Sequence, residues 1–466
     1  MNWKKTKEFT FINIIGIIII SLCFMCDFLL ATYDTYWNYG YSMHIINGLV
    51  PYRDFNFLAG PIAPIFYSIP LIFSKTITAY QINKIIKLLM CIFIFKYIFK
   101  DFKNKRIATF YLILASLYFS SLDITYSSLI IILQFLSIAY FVKIIRKNEI
   151  KIFDIFLLSL IGMIAFYTKQ STGAFLAVAI FVCIAFLSIQ NHLIKNCLFN
   201  IFFNITIFGL VCFLFYKLNA FDDYVNIALL GISGFVSANR GYTLLIIAII
   251  FSLFVFIFNI KIYKKYKNKT MFIICIICIS QVIGCYPVAN ISHFLLYITP
   301  FSLYFIYLSN IVDKEIISET ISIITMIIFT IFYVRFSSLF SFQNLTFSNI
   351  SNIGYALNDY RVVKEFEEEL VEKRKEDNNL IIFATSAQTI GVITNSYHKY
   401  YDLFICGGTG KLSANEIFEE IKYNKFAIPK NNEIFSQIPE EIVNRVKSFE
   451  IVDETNYYYI YQNNQN

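Results

Sequence analysis

Charged residues are scarce in this chain. They make up only 15% of its 466 residues, whereas an ordinary soluble domain contains about 25%. Hydrophobic residues account for 58%, and the mean hydropathy is +0.62. A chain this long and this apolar cannot hide its apolar surface in one aqueous core. The composition therefore excludes an ordinary cytosolic protein, a disordered protein and a disulfide scaffold, and it predicts a multi-span membrane protein.

Histidines are also few, and the common nucleotide-binding motifs are absent from the sequence. The chain has four histidines, and they show no metal-ligand spacing. It has no P-loop, no G-x-G-x-x-G and no G-x-S-x-G motif. We therefore expect no metal site and no required cofactor, although the residues leave a divalent-metal requirement undecided. If the protein is an enzyme, its substrate must be activated elsewhere.

The charges that are present divide the chain into two parts. Residues 359–466 hold 18 acidic and 12 basic side chains, a net charge of −6. The first 358 residues hold 13 acidic and 27 basic side chains, a net charge of +14. This predicts a basic membrane body at 1–338 and a small extracytoplasmic α/β domain at 339–466. The excess Lys and Arg of the body indicate cytoplasmic loops, and we expect no nucleic-acid partner.

The apolar runs predict a mainly α polytopic membrane protein with about eleven spans. They lie near 9–30, 80–99, 107–121, 125–142, 153–167, 173–189, 197–216, 242–260, 270–285, 294–309 and 320–338. Connections that are rich in Lys and Arg alternate with connections that have few cations. The basic ones are 100–106, 143–151, 191–195 and 261–269. The positive-inside rule places these four, and the N-terminus, in the cytoplasm, and it places the tail outside a cell membrane.

The connection after the first span is the longest in the body. It runs over about 31–79 and is predicted to be external. Its apolar stretch from Pro61 to Phe73 is short and contains three prolines, so we expect it to be interfacial or re-entrant. In the tail, the pattern predicts a helix over 359–378 and strands at 380–384, 402–405 and 457–461.

Six acidic residues fall on the predicted outer side. They are Asp27, Asp34, Asp54, Asp123, Asp222 and Asp223. Acids at a membrane boundary are costly unless they are solvated or paired. Asp34 directly follows the first span, where a carboxylate can act as general base toward an acceptor hydroxyl that arrives from water. A helix cap or a solvated loop residue explains Asp34 as well on spacing alone.

The first external loop resembles that of GT-C-type membrane glycosyltransferases, in particular the aminoarabinose transferase and protein O-mannosyltransferase group. The matching run is Asp34-x-Tyr36…Gly48-Leu-Val-Pro51-Tyr52-Arg53-Asp54-Phe55…Gly60-Pro61. The resemblance implies a GT-C-like fold, with Asp34 as catalytic base and Asp54 as the second acid of the loop. Thr35 stands where the family often has Glu.

Two further stretches are similar to segments of bacterial members of this group. They are Thr168-Lys169-Gln170-Ser171-Thr172-Gly173 and Tyr286-Pro287-Val288-Ala289-Asn290-Ile291-Ser292-His293. Asn290 stands where the group has Asp. The resemblance and the predicted topology together give the cations expected to bind a donor phosphate as Lys169, Arg240, Arg53 and His293. The residues expected to line the substrate site are Tyr36, Tyr52, Gln170, Tyr286 and Asn290.

These patterns lead to one hypothesis and two alternatives. The hypothesis is a glycosyltransferase that moves a sugar from a polyprenyl-phosphate donor to an envelope glycan, lipid or protein acceptor at the outer face, in contact with membrane lipids. The alternatives are a lipid-linked glycan transporter or flippase and a non-catalytic scaffold. Transporters place ionisable groups at mid-membrane depth. The predicted span centres are almost free of charge, which favours the enzyme.

Overall fold

The protein is mainly helical, with a small strand-containing region near its C-terminus, as seen in a computed structural model. The structure describes residues 14–463 except 16, 19–20, 23, 26, 192, 232–241, 287–290, 313–319, 326, 329, 332–344, 351–352, 360–368, 384–386, 397–398, 400–417, 419–424 and 431–439. Two predicted site residues, Arg240 and Asn290, therefore lie outside the described residues.

The long apolar helices of the body follow the predicted apolar runs closely, whereas the helices Tyr33–Ile46 and Ile62–Tyr67 lie in the connection predicted at 31–79. The helices of the body are α1 (Tyr33–Ile46), α2 (Ile62–Tyr67), α3 (Ile77–Ile98), α4 (Lys105–Ser121), α5 (Tyr126–Lys147), α6 (Ile152–Phe166), α7 (Gln170–Gln190), α8 (Lys195–Lys217), α9 (Phe221–Asp223), α10 (Thr243–Tyr266), α11 (Lys269–Ser280), α12 (Ile291–Ile298) and α13 (Phe301–Ile311). The described residues between 14 and 29 are also helical.

Six segments among the described residues are long and apolar enough to cross a membrane. They are α3, α5, α7, α8, α10 and the continuous stretch Ile291–Ile311, which contains α12 and α13. Ile152–Phe166 and Lys269–Cys285 are shorter apolar helices. Helices α8 and α10 expose rows of large apolar side chains, such as Phe202 and Phe254. Such faces suit contact with lipid tails better than contact with water.

The basic connections gather at one end of the helix bundle. Arg146, at the end of α5, donates a hydrogen bond to the carbonyl of Tyr97 at 2.9 Å and pairs with Asp101, which follows α3. The backbone N–H of Lys103 donates to Asn310 at 2.8 Å. These contacts tie together the basic connections at 100–106 and 143–151 and join the first of them to the C-terminal end of α13.

The connection at 31–79 forms no membrane-crossing helix between Pro61 and Phe73, as its prolines predicted. Pro61 precedes α2, and a 3-10 turn at Ile69–Ile72 follows it. The backbone N–H of Ile62 donates to the carbonyl of Tyr167 at 3.1 Å. A side chain on Gly60 would collide with the same carbonyl, because an added Cβ would lie 1.8 Å from its oxygen. The loop is thereby fixed against the turn between α6 and α7.

Two small sheets contain the described strands. In the first, the order is β1-β3-β2, with β1 (Leu30–Ala31) parallel to β3 (Gly354–Asp359) and β2 (Leu345–Ile350) antiparallel to it. In the second, the order is β4-β5-β7-β6. Its strands are β4 (Leu380–Ile382), β5 (Lys425–Pro429), β6 (Glu450–Glu454) and β7 (Tyr458–Gln462). Among the described strands of this second sheet, only the β4–β5 pair is parallel.

Three short helices accompany the second sheet, and they correct parts of the tail prediction. They are α14 (Leu370–Glu376), α15 (Ala387–Thr394) and α16 (Glu440–Lys447). The helix predicted to begin at Asp359 is wrong at its start, because Asp359 ends strand β3 and pairs with Leu345. Strands β2, β3, β5 and β6 were not predicted. The strand predicted at 402–405 lies outside the described residues.

The C-terminal region packs directly onto the connection at 31–79. Gly40 lets α1 approach α15 closely, because a Cβ there would lie 2.8 Å from the backbone of both Gln388 and Thr389. Thr389 donates its hydroxyl to the carbonyl of Tyr36 at 2.5 Å. Since β1 also pairs with β3, the described C-terminal strands and helices hold both sides of α1. The tail and the first loop therefore lie at the same end of the molecule.

Candidate functional site

Asp34 lies in the first turn of α1, directly after the short strand β1. The cap of this helix is Thr32, whose hydroxyl accepts a hydrogen bond from the backbone N–H of Thr35 at 3.2 Å. The reading of Asp34 as the helix cap is therefore wrong. The residue as a whole is exposed, and a carboxylate in the first turn also interacts favourably with the positive end of the helix.

The pKa of the Asp34 carboxyl is raised to about 7. The larger cause is the loss of solvation where protein surrounds the group, and the smaller is the negative charge of Asp123. A pKa near neutrality lets a carboxylate take up a proton from a hydroxyl and release it again under cellular conditions.

Two buried lysines lie beneath this region, and sequence reasoning missed them. Lys84 and Lys87 are 1% and 0% exposed on the inner face of α3. At 1.5 Å per residue they lie about 10 and 15 Å into the helix. The expectation of span centres almost free of charge is therefore wrong for this span. The signal was visible, because an ionisable residue inside an apolar run is by default a functional candidate.

Backbone carbonyls hold both ammonium groups. Lys84 donates to the carbonyls of Asp27 and Leu30, where the N-terminal helical segment ends. Lys87 donates to the carbonyl of Leu122 at 2.5 Å and to that of Asp123 at 3.4 Å, just beyond α4. Helix C-termini carry partial negative charge and favour cations. The two lysines thus fasten the chain on both sides of the Asp34 region and bring positive charge close to Asp123.

Lys169 is held in an aromatic cage at the same end of the bundle. Its ammonium lies 5.3 Å from the ring centre of Tyr126 and 5.2 Å from that of Tyr297. It donates to the Tyr297 hydroxyl at 2.9 Å, and that hydroxyl donates to Ser127 at 3.0 Å. No carboxylate pairs with Lys169 among the described residues. The cage therefore orders a half-exposed cation and leaves its charge available to an anion.

The N-terminus of α7 adds further donors beside Lys169. Gln170 and Thr172 are 7% and 0% exposed, and within the described chain the Gln170 amide nitrogen and the Thr172 hydroxyl meet no hydrogen-bond partner. Buried polar atoms of this kind are rare unless a water or a ligand satisfies them. Helix N-termini present free N–H groups and partial positive charge, which favour phosphate. Lys169, predicted to bind the donor phosphate, and Gln170, predicted to line the substrate site, therefore lie together at a position chemically suited to a phosphate.

The residues that lead into α5 connect the Asp34 region with the Lys169 cage. Asp123 influences Asp34 electrostatically, and Tyr126, three residues later, forms one wall of the Lys169 cage. The rings of Trp37 and Tyr126 lie 6.5 Å apart, edge to face. Trp37 is one helical turn after Asp34. The structure thus brings a carboxylate and a cation to either side of one aromatic pair.

Arg53 and Asp54 pair with each other. The Arg53 guanidinium donates to both carboxylate oxygens of Asp54, at 2.9 and 2.7 Å. The backbone N–H of Val50 adds a third hydrogen bond at 2.7 Å. These bonds, the one from Arg53 first, hold the pKa of Asp54 below its ordinary value. Arg53 and Asp54 therefore bind each other, and Asp54 also binds the backbone of the loop. This arrangement gives no geometric support to the predicted roles of Asp54 in catalysis and Arg53 in phosphate binding.

The remaining predicted residues lie in different surroundings. Tyr36 and Tyr52 are fully buried; Tyr36 donates its hydroxyl to Asn358, and Tyr52 to the carbonyl of Ala59 at 2.6 Å. Tyr286 packs near Tyr242, with ring centres 6.1 Å apart. His293 lies close enough to Lys169 to be influenced by its charge. Of these four, His293 is the one that the structure associates with the Lys169 cage.

Neither the comparisons with known proteins nor the arrangement of possible metal ligands adds to what this geometry indicates. No protein-family model matches the chain, and no curated protein resembles it significantly. Across the ranges that the structure describes, no three His, Cys, Asp or Glu side chains converge as metal ligands would. The geometry of Asp34 and the Lys169 cage is therefore the basis for a functional assignment.

Proposed function

We propose that the protein is a GT-C-like membrane glycosyltransferase that takes a sugar from a polyprenyl-phosphate donor and passes it to a hydroxyl acceptor. The observation that carries the proposal is the position of Asp34, an exposed residue whose carboxyl has a pKa near 7, close to a cation cage at the end of the bundle. A general base needs a pKa near the working pH and access to its substrate. Asp34 meets both requirements.

The reaction follows from the two groups. The carboxylate of Asp34 accepts the proton of the acceptor hydroxyl, and the oxygen forms a bond to the anomeric carbon. The bond between that carbon and the phosphate oxygen breaks, and the phosphate leaves with the electron pair. Lys169, with the N-terminal donors of α7, stabilises the charge that develops there. The acceptor is an envelope glycan, lipid or protein.

The proposed topology places this end of the bundle outside the cytoplasm. The basic connections gather at the other end, and Lys and Arg mark cytoplasmic loops. The tail contacts the first loop through α1 and α15, which supports a common side for both. A C-terminal reporter that is active only in the cytoplasm tests this proposal, and activity of that reporter would refute it.

A transporter of lipid-linked glycans is the second candidate. The observation that favours it is the burial of Lys84 and Lys87 deep inside α3. Ionisable groups at this depth commonly mark substrate pathways. Against it, both ammonium groups are already bonded to backbone carbonyls, which suits a structural role. Passage of labelled glycolipid across proteoliposomes without any sugar transfer would favour the transporter.

The deciding experiment is complementation of a deletion strain, read out by lipid-linked intermediates. The wild-type gene should clear the accumulated polyprenyl-phosphate sugar. Asp34→Asn should insert normally yet lose transfer by about 10²–10⁴-fold, the usual contribution of a general base. Asp222→Asn is the matched control, because Asp222 is an exposed acid after α8. If Asp34→Asn clears the intermediate at the wild-type rate, the proposal fails.

A further inference from the structure

Trp37 and Tyr126 form an aromatic pair next to the proposed reaction centre. Both side chains are half-buried, and their rings meet edge to face at 6.5 Å. The indole N–H of Trp37 donates to the Tyr41 hydroxyl at 3.3 Å, which helps to fix the ring on its helix. An indole held in this way offers a rigid apolar face beside polar groups, the combination typical of small-molecule sites.

The aromatic pair lies between two charged groups, the Asp34 carboxylate and the Lys169 ammonium. Trp37 lies three residues after Asp34 and therefore on the same side of α1. Tyr126 lies under the ammonium of Lys169, which is 5.3 Å from its ring centre. A ligand that packs on the Trp37 ring and abuts Tyr126 would have one edge toward the carboxylate and the other toward the cation.

We infer that Trp37 forms the platform on which the sugar ring of the donor rests, with the nearly perpendicular ring of Tyr126 as a side wall, and that Trp37 discriminates the glycosylated lipid from the bare lipid phosphate. The inference rests on the proposed function. A pyranose presents apolar C–H groups on its faces and hydroxyls around its edge, so it packs on an aromatic face while its phosphate lies at Lys169. Tyr36 and Tyr52, which the sequence had suggested for this role, are buried among protein side chains.

Because the chain contains few tryptophans, fluorescence can test the role of Trp37 directly. The protein contains two tryptophans, Trp3 and Trp37, so Trp3→Phe leaves Trp37 as the single indole fluorophore. The probes are undecaprenyl phosphate alone and the same lipid carrying one hexose, added to purified protein in detergent. Retention of radiolabelled lipid on immobilised protein measures binding independently of fluorescence.

The glycosylated lipid should shield Trp37 from iodide quenching, and the bare lipid should not. Trp37→Ala should reduce the preference for the glycosylated lipid about three- to tenfold, in line with the energies of aromatic contacts. Trp37→Phe keeps a ring and should retain most of the preference. Phe73→Ala removes an aromatic side chain that is 87% exposed in the same loop, and it should change nothing. Unchanged affinity of Trp37→Ala for the bare lipid shows that the variant is folded.

The outcomes separate this inference from the proposed function. If both lipids bind equally well and Trp37 does not respond, the platform is refuted while a lipid-phosphate site remains. If the preference exists but survives in Trp37→Ala, another surface holds the sugar and the inference is wrong. If neither lipid binds, the proposed function and the inference both fail.

Discussion

Asp123 lies close enough to Asp34 for its negative charge to raise the pKa of the Asp34 carboxyl. The two residues are far apart in sequence and belong to different connections of the bundle. Their proximity places a second acid beside the proposed base, and Lys87 donates to the backbone carbonyl of that second acid. This relationship makes the ionisation of Asp34 adjustable by single substitutions.

The transfer rate should depend on pH through Asp34. A general base acts in its deprotonated form, so the rate should rise with pH and reach half its maximum near pH 7, the value to which the pKa is raised. Asp123→Asn removes a negative charge that raises this pKa, so the rising limb should move to lower pH. Initial rates in proteoliposomes over pH 5–9 measure the shift, with Asp222→Asn as control. An unmoved limb in Asp123→Asn would show that Asp34 is not the titrating group.

Binding of undecaprenyl phosphate should depend on Lys169 and Gln170. A hydrogen bond to a charged group contributes about 1.5–3 kcal/mol, so Lys169→Ala should weaken binding about ten- to a hundredfold. Gln170→Met removes the buried amide at similar size, and we expect a smaller loss of about three- to tenfold. Retention of the labelled lipid provides the measurement.

Lys217 supplies the control for the phosphate site. It is an exposed lysine at the end of α8, and its ammonium lies 5.5 Å from the ring centre of Phe213. It therefore shares the cation–aromatic contact of Lys169 without the buried donors of α7. Lys217→Ala should leave affinity unchanged. Equal losses in Lys217→Ala and Lys169→Ala would indicate non-specific attraction of an anionic lipid.

The contact between α1 and α15 should not tolerate a side chain at Gly40. A Cβ there would lie 2.6 Å from the Cβ of Gln388 and 2.8 Å from the backbone nitrogen of Thr389. We expect Gly40→Ala to destabilise the protein by about 1–3 kcal/mol, as overpacking usually does, and to make the tail more sensitive to protease. Thermal unfolding in detergent and limited proteolysis report both effects.

Gly209→Ala tests the same exchange where space is open. Nothing lies within 4 Å of a Cβ at Gly209 on α8, and Ala is favoured over Gly in a helix by about 1 kcal/mol. This variant should be as stable as the wild type or slightly more stable. Wild-type stability and protease resistance in Gly40→Ala would mean that the two helices do not pack as described.

Lys87→Met should destabilise the fold even though Met suits a membrane span. It removes a buried ammonium and leaves the carbonyl of Leu122 without that donor, at a cost of about 1–3 kcal/mol, whereas the carbonyl of Asp123 still accepts from the backbone N–H of Thr125. Lys96→Met on the exposed face of the same helix is the control and should have little effect. Thermal unfolding in detergent compares the two, and equal stability of both variants would contradict a structural role for Lys87.

Local patterns in the sequence were sufficient for much of this protein. Apolar runs are set by composition over about twenty residues, so the long apolar helices among the described residues lie where the hydropathy predicted them, whereas α1 was not predicted. Charge in the connections predicted which of them share an end, and the contacts of Arg146 bring two such connections together. Asp34 and Lys169 were found because each stands beside a predicted span boundary in a short recognisable motif.

Tertiary structure alone decided which faces meet. The spacing of Tyr36 and Trp37 does not reveal that the first is buried against Asn358 while the second stays half-exposed near Tyr126. Lys84 and Lys87 look like interruptions of an apolar run until the ends of two other helical segments supply their carbonyl partners. The strand pairing of Leu30 with Leu357 joins residues from opposite ends of the chain. Sequence periodicity fixes the faces of each element, but contacts between distant segments depend on how all of those faces pack together.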